Sequence, residues 1–316
     1  MKSVAATIRA VAGPMALRML YGSLPPEDGT YVRSVSWGES GGEIVRSTLV
    51  AGGPCLVGRF GSSELSCISY YVRWRAGRRT PLPYPSPLRR VMRVNAGVFP
   101  VDDESLDRFS ETFLAAVSET DVMGVWFNRN EHEIVLRFCP NARLVQLEAL
   151  NPVLWPSPWS TELEGKVVLV VHPFARTIES QYREHREELF ENPRVLPEFE
   201  LKTLVAVQSI AGSDCGYPSW SRALDHMRDE VAATDFDVAV IGAGAYGLPL
   251  AAEVKRLGRQ AVHLGGATQL LFGIKGRRWE VESPDDIAPL FNEHWVRPSA
   301  EETPTDSGMV EGGCYW

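Results

Sequence analysis

The sequence predicts an α/β fold: a Rossmann-like, mostly parallel sheet with helices on both faces. Short β-branched runs alternate with longer amphipathic stretches from about residue 50 to residue 280; one strand-like run, 167–171, is apolar throughout; and two of the runs end in glycine-bearing turns that open helices. A strand covered on both faces needs no polar side, and a helix between successive strands makes them parallel.

Taken in order, Val4, Ile8, Val11, Met15 and Met19 recur at helical spacing, with Arg9 and Arg18 among them. A secretory apolar core does not tolerate Arg9, so residues 1–45 are expected to form a helical arm, kinked at Pro14, and not a signal peptide. Docking on the body is its expected role; lying on a membrane surface is the alternative. A glycine-rich linker is expected around residues 37–42. Strands follow at 55–60, 122–127, 143–147, 167–172, 201–208, 238–241 and 261–264, and helices at 63–75, 104–118, 131–138, 177–191, 220–232 and 248–257. Pro152, Pro156 and Pro158, with Trp155 and Trp159, interrupt the alternation. Within a main unit spanning 46–298, two Rossmann-like halves can meet near 150–165, or a long surface loop can lie there.

The 316 residues hold 32 Lys and Arg against 40 Asp and Glu, and the net charge of −8 comes entirely from residue 279 onward, with nine acids and Arg297. The rest is neutral, which excludes a basic surface for duplex nucleic acid. Residues 299–316 read as an acidic tail, yet they end in Cys314, Tyr315 and Trp316, so the tail is expected to fold back over the cleft or the arginine-rich loop as a lid. Five scattered cysteines without a Cys-x-x-Cys pair favour a reducing, cytoplasmic compartment and argue against structural zinc. The longest charge-free apolar run is too short to span a bilayer.

In parallel sheets, ligands sit where strands end and loops lead into helices. At one such place stands Gly242-Ala243-Gly244-Ala245-Tyr246-Gly247. Glycines admit an oxyanion close to the backbone, and the helix start favours phosphate, so this turn is a candidate diphosphate cradle. It also satisfies the G-x-G-x-x-G dinucleotide pattern, but the next strand carries His263 and glycines where a ribose-binding acid belongs. A purely structural glycine turn is the third reading. At a second strand end stands Arg59-Phe60-Gly61-Ser62-Ser63-Glu64. Glu64 in the first helical turn suits either a functional carboxylate or a cap with Ser62 or Ser63 as N-cap, while Arg59 suits an anion. His172, after an apolar strand, is a base, a phosphate donor or a core residue. Lys275, Arg277 and Arg278 follow the last strand as candidate phosphate partners. Seven arginines between residues 73 and 93, interleaved with prolines, read as an extended loop for an anionic acceptor, a membrane surface or the tail.

These blocks resemble the GT-D type glycosyltransferases, in which a strand-turn-helix carries Arg-Phe-Gly-Asp-Gly-Glu and a later strand ends in a glycine-containing turn. The matches are Arg59, Phe60, Gly61 and Glu64, then Ile241 through Gly247, and His263, Leu264 and Gly265. The resemblance implies a GT-D-like fold and transfer of a sugar from a nucleotide-diphosphate sugar to the hydroxyl of a glycan, glycolipid, natural product or peptide. It places Arg59, Ser62 and Glu64 at the reacting sugar. Gly61, Gly242, Gly244, Ala245, Tyr246, Gly247, His263, Lys275, Arg277 and His172 would hold the donor. It also implies a divalent metal, Mn²⁺ or Mg²⁺, with Glu64 as its ligand. Here Ser62 and Ser63 stand where the family has Asp and Gly, and one carboxylate is a poor cage for either ion. An NAD(P)- or FAD-binding oxidoreductase using the glycine turn, and a non-catalytic nucleotide-sugar-binding or assembly protein, are the alternatives.

Overall fold

The structure is a computed structural model that describes residues 33–281, 285–310 and 312–316. The helix expected within residues 1–21 lies outside the described residues. In chain order the strands are β1 (Val35–Ser36), β2 (Cys55–Arg59), β3 (Val122–Val125), β4 (Arg143–Gln146), β5 (Val167–His172), β6 (Glu200–Val205), β7 (Val238–Ile241) and β8 (Gln260–His263). They form one eight-stranded parallel sheet in the order β1-β4-β3-β2-β8-β7-β5-β6. Each strand expected from the sequence is present. The two-residue β1 is an addition, too short to leave a periodic signal.

The helices are α1 (Gly38–Val50), α2 (Ser62–Trp74), α3 (Ser86–Val94), α4 (Asp103–Ser118), α5 (Glu131–Phe138), α6 (Ala175–His185), α7 (Trp220–Ala233), α8 (Gly247–Arg256), α9 (Thr268–Leu271) and α10 (Arg277–Val281). Strand side chains alternate between two apolar layers. Leu169 and Val171 of β5, with Ala239 and Ile241 of β7, join the layer packed by α2, α4, α7 and α8; Val168, Val170, Val238 and Val240 join the opposite one, with α1 and α6. Burial on both faces explains why these strands read as unbroken apolar runs. Cys67 and Cys139 are buried among them as small apolar residues, and burial pushes each thiol up to about 12.

Two sequence expectations are corrected. Residues 37–42 are not a linker: Gly38 opens α1, and Gly41 faces Ala149 so closely that an added Cβ would lie 2.6 Å from the alanine's. The glycines there mark close packing of a helix. Nor are residues 73–93 an extended loop, because α3 occupies their end, with Pro85 as N-cap and Pro87 in the first turn, positions where a missing N–H costs nothing. Several of the arginines are committed within the fold: Arg75 donates to Asp107 at 2.5 and 2.8 Å, Arg89 pairs with Asp103, and Arg73 reaches Glu133 at 3.2 Å.

Because every strand is parallel, all carboxyl ends share one edge of the sheet. β2 and β8 are neighbours, yet the helices that follow them, α2 and α9, pack into opposite layers. Two loops leaving adjacent strands in opposite directions open a crevice between them, the switch point at which such sheets hold ligands.

Candidate functional site

A cavity of about 500 Å³ fills that crevice. Loops after β2, β3, β5, β7 and β8 line it, together with the end of α3, the start of α10 and the C-terminal residues.

On the β7 wall, Gly242, Gly244, Ala245 and Tyr246 all face the cavity. The glycines differ in what they do. A Cβ on Gly242 would lie 2.4 Å from His172 Cδ2 and 2.8 Å from the Gly265 carbonyl, so this glycine seats the neighbouring ring. Gly247 does the same for His263, whose Cε1 would lie 2.1 Å from an added Cβ; it underlies the site and does not line the cavity. Gly244 has φ +51° and only open space where a Cβ would stand. Its backbone is bared to the cavity, at the start of a helical turn whose first N–H groups lack intrahelical acceptors. The Tyr246 side chain is a tether: its hydroxyl bonds Ser209 Oγ at 2.8 Å and its ring stacks on Trp220 at 5.3 Å.

On the β2 wall, Gly61 is the N-cap of α2 without a side-chain cap bond, and Ser62 and Ser63 lie inside the helix. Neither serine is the cap that the sequence allows. Glu64, at the third helical position, folds its carboxylate back over Gly61, where an added Cβ would lie 1.9 Å from Oε2. Gly61 is thus needed to seat Glu64, which lines the cavity while 8% exposed. Ser62 is exposed at the rim. Arg59 spreads over the Trp126 ring at 4.9 Å. Desolvation pulls its guanidinium below the usual arginine range and Arg278 adds to this, while Tyr315, Glu64 and Glu131 oppose it.

His172 and His263 line the floor at 3% exposure each. Burial pushes both down to about 3, helped at His263 by Arg59. Both imidazoles are neutral at ordinary pH and too weak to serve as bases there. His172 Nδ1 accepts from the Phe174 N–H at 3.0 Å, which leaves the ring proton on Nε2, and His263 Nδ1 donates to the Ile241 carbonyl at 3.2 Å.

Of the basic residues after β8, Arg278 faces the cavity and Lys275 and Arg277 do not. Lys275 Nζ sits 5.5 Å over the Phe291 ring, and Arg277 donates to the Gly312 carbonyl at 2.7 Å, so both brace the C-terminal segment. Lys275 and Arg277, expected at the donor, thus lie off the cavity, and Arg278 is the one of the three that lines it. The tail reaches the site: Tyr315 and Trp316 line the cavity, and Trp316 meets Phe174 edge-on at 6.2 Å.

The sequence marks Glu131 only as a helix start, and the structure adds it to the site. Glu131 is fully buried beneath the loop after β3, accepting N–H bonds from Asn128 at 3.0 Å and Trp126 at 3.3 Å. Burial pushes it up to about 8, against the lowering effect of those bonds and of Arg59. The loop bends around it through two left-handed residues, Phe127 (φ 62°) and Asn130 (φ 66°).

The cavity is rich in buried donors. Among the described residues, Arg59 Nε, Trp126 Nε1, Asn128 Nδ2 and Trp279 Nε1 have no hydrogen-bond partner, and all four residues line it. Unpartnered N–H groups buried in the walls of a cavity suit an oxygen-rich anion better than a cation, although the Gln269 Oε1 acceptor in the same wall is also without a partner. Glu131 is occupied by backbone N–H groups, and among the described residues no three metal-ligand side chains converge at the cleft. These residues do not fit a Mg²⁺ or Mn²⁺ ion held by the protein alone.

The fold is an α/β parallel sheet with its cleft at the strand ends, and solved structures of similar form exist. One is a domain of unknown function 1792 described as having a distinct glycosyltransferase fold, with TM-score 0.45, 13% identity, and coverage of 85% of this chain and 92% of that one. Another is described as a new glycosyltransferase with that domain, from Streptococcus sanguinis, at TM-score 0.45 and 12% identity, covering 89% of this chain and all of that one. No protein-family model and no curated protein matches the chain. At 12 and 13% identity no side-chain role transfers from these neighbours.

Proposed function

We propose that this chain is a glycosyltransferase that takes a sugar from a nucleoside-diphosphate sugar and passes it to an acceptor hydroxyl. The observation that carries the reading is that unpartnered buried donors, Arg59 Nε, Trp126 Nε1, Asn128 Nδ2 and Trp279 Nε1, belong to residues lining the same cavity as the bared backbone of Gly244. The reaction asks for stabilisation of a departing diphosphate, and preorganised N–H groups and guanidiniums in a desolvated cleft supply that without a resident metal. Arg59 and Arg278, whose charges disfavour one another, are relieved by an anion between them. His172 adds a neutral Nε2–H donor. Glu64 is the carboxylate at the cleft placed to take the acceptor proton or to hold the donor sugar. A second cavity of about 640 Å³ shares Pro173, Val207 and Gln208 with the first and gives the acceptor an approach. A cytoplasmic location accords with the buried thiols, and among the described residues no helix is long and apolar enough to cross a membrane.

The test is calorimetry with nucleoside diphosphates, nucleotide sugars and dinucleotides, each with and without Mn²⁺. Saturable binding of a nucleoside diphosphate without added metal is expected. Binding of NAD and of no nucleoside diphosphate overturns the reading in favour of an oxidoreductase, and donor binding without turnover on any acceptor makes the chain a binding protein.

A further inference from the structure

On the side of α6 remote from the cleft, three side chains of metal-binding chemistry meet. His185, at the end of α6, places Nδ1 2.9 Å from Glu188 Oε2, and His294, from the C-terminal segment, places its Nδ1 3.3 Å from the same oxygen. One ligand atom from each residue lies within 4.8 Å of the other two. Bonds of about 2.0–2.2 Å in tetrahedral zinc put neighbouring ligand atoms roughly 3.4 Å apart, so two of the separations already suit the ion.

The backbones that carry these residues are pinned together independently of the ring contacts. Asn292 Nδ2 donates to the carbonyls of Glu188 (2.9 Å) and Leu189 (3.3 Å), Trp295 Nε1 donates to Leu189 at 3.1 Å, and Gln181 Nε2 donates to the His294 carbonyl at 2.9 Å. Binding therefore needs little backbone ordering, but the two imidazoles, whose ligand atoms lie within 4.8 Å of one another, must close by up to about 1.4 Å through side-chain rotation.

We propose that His185, Glu188 and His294 form a zinc site that clips the end of α6 to the C-terminal segment. Two imidazoles and one carboxylate select a borderline late first-row ion over Mg²⁺ or Ca²⁺, and leave a fourth position for water. Each imidazole binds Zn²⁺ through the Nδ1 lone pair with its proton on Nε2, so that a proton goes to solvent only from a ring that was cationic beforehand. The clip has a structural consequence for the cleft. Val296, two residues after His294, bridges to Ile274 and accepts from the Lys275 N–H at 2.7 Å, and this segment leads into Arg278. No spacing in the sequence announces the site, because its ligands come from two distant segments.

The test is zinc titration of the chelator-stripped full chain against a chromogenic chelator, with thermal melts and Co²⁺ absorption. One equivalent of zinc per chain is expected, with Tm rising roughly 4 °C at zinc a hundredfold above Kd and a tetrahedral Co²⁺ spectrum. His294→Ala and Glu188→Gln should each abolish the site and the Tm response while keeping the metal-free Tm, and Cys215→Ser should retain both. Zinc binding that is unchanged in His294→Ala, or no saturable binding by the wild type at sub-millimolar zinc, overturns the proposal and leaves the cluster as ion pairs. If His294→Ala does not fold, His185→Asn provides the same comparison.

Discussion

The guanidinium of Arg278 lies 4.9 Å over the ring of Tyr315, and its Nη1 donates to the Tyr315 hydroxyl at 3.3 Å. A cleft cation is thereby held by the last residues of the chain, far from it in sequence. Tyr315→Ala is expected to weaken nucleoside-diphosphate binding about tenfold, because an aromatic contact worth roughly 0.5–1.5 kcal/mol then no longer orients the cation. Calorimetry measures this directly. Tighter binding in the variant would identify the tail as a competitor for the cleft.

Arg59 offers a planar fork over Trp126, which lysine cannot imitate. Arg59→Lys should therefore cost about 10- to 100-fold in diphosphate affinity, the value of a charge-assisted hydrogen bond of roughly 1.5–3 kcal/mol, with Tm little changed. Equal affinity in the two proteins would remove Arg59 from the site.

Glu64→Gln keeps the shape of a side chain that rests on Gly61 and removes its charge. Turnover of the donor should fall by about 10²–10⁴-fold, the usual range for a lost acid–base group, while far-UV circular dichroism stays that of the wild type. Undiminished turnover would reduce Glu64 to a helix-end residue.

Gly244 and Gly242 separate ligand binding from packing. Gly244→Ala meets no atom and should cost about 1 kcal/mol for its left-handed backbone, yet lower diphosphate affinity at least tenfold if a phosphate approaches there. Gly242→Ala drives a methyl into His172 and Thr268 and should cost roughly 1–3 kcal/mol of stability. Urea melts beside calorimetry tell the two apart; wild-type affinity in Gly244→Ala would leave the turn a structural one.

The buried titratable groups set opposing pH limits. Glu131 is raised to about 8, so the stability it contributes is complete below its unfolded value near 4.5 and is lost as pH rises through 8. His172 and His263 are lowered to about 3, so theirs is present above 6.5 and lost as pH falls through 3. Stability should peak near pH 6.5 and fall by about 2 kcal/mol by pH 8, at 1.36 kcal/mol per unit. Glu131→Gln, an isostere of the protonated acid, should flatten the alkaline limb in urea melts at a series of pH values. A limb unchanged by that substitution would show that Glu131 is ionised in the folded chain.

Much of the fold was legible because burial on both sides writes itself into the strands. β5 and β7 occupy the expected residues, and α5 begins and ends where its periodicity says. The site was legible where backbone geometry demands a residue type, as at Gly61, Gly242 and Gly244. It was not legible where one helical step decides. Arg277 and Arg278 are equal in composition, but successive residues of α10 point about 100° apart, and that rotation sends one to Gly312 and the other to the cleft. Glu131 was hidden for a related reason: an acid in a first helical turn is ordinarily a solvated partner of the dipole, and only the loop folded over it buries it.

The order of strands in the sheet also bears on how the chain is made. β2 pairs with β3 early in synthesis, but its other neighbour, β8, emerges only with residues 260–263. Until then Leu56 and Val57 border an unpaired strand edge, a template for aggregation, and the cleft has only one wall. A nascent or prematurely truncated chain should therefore be both inert toward the donor and a client for chaperones, with ligand competence arriving in one late step.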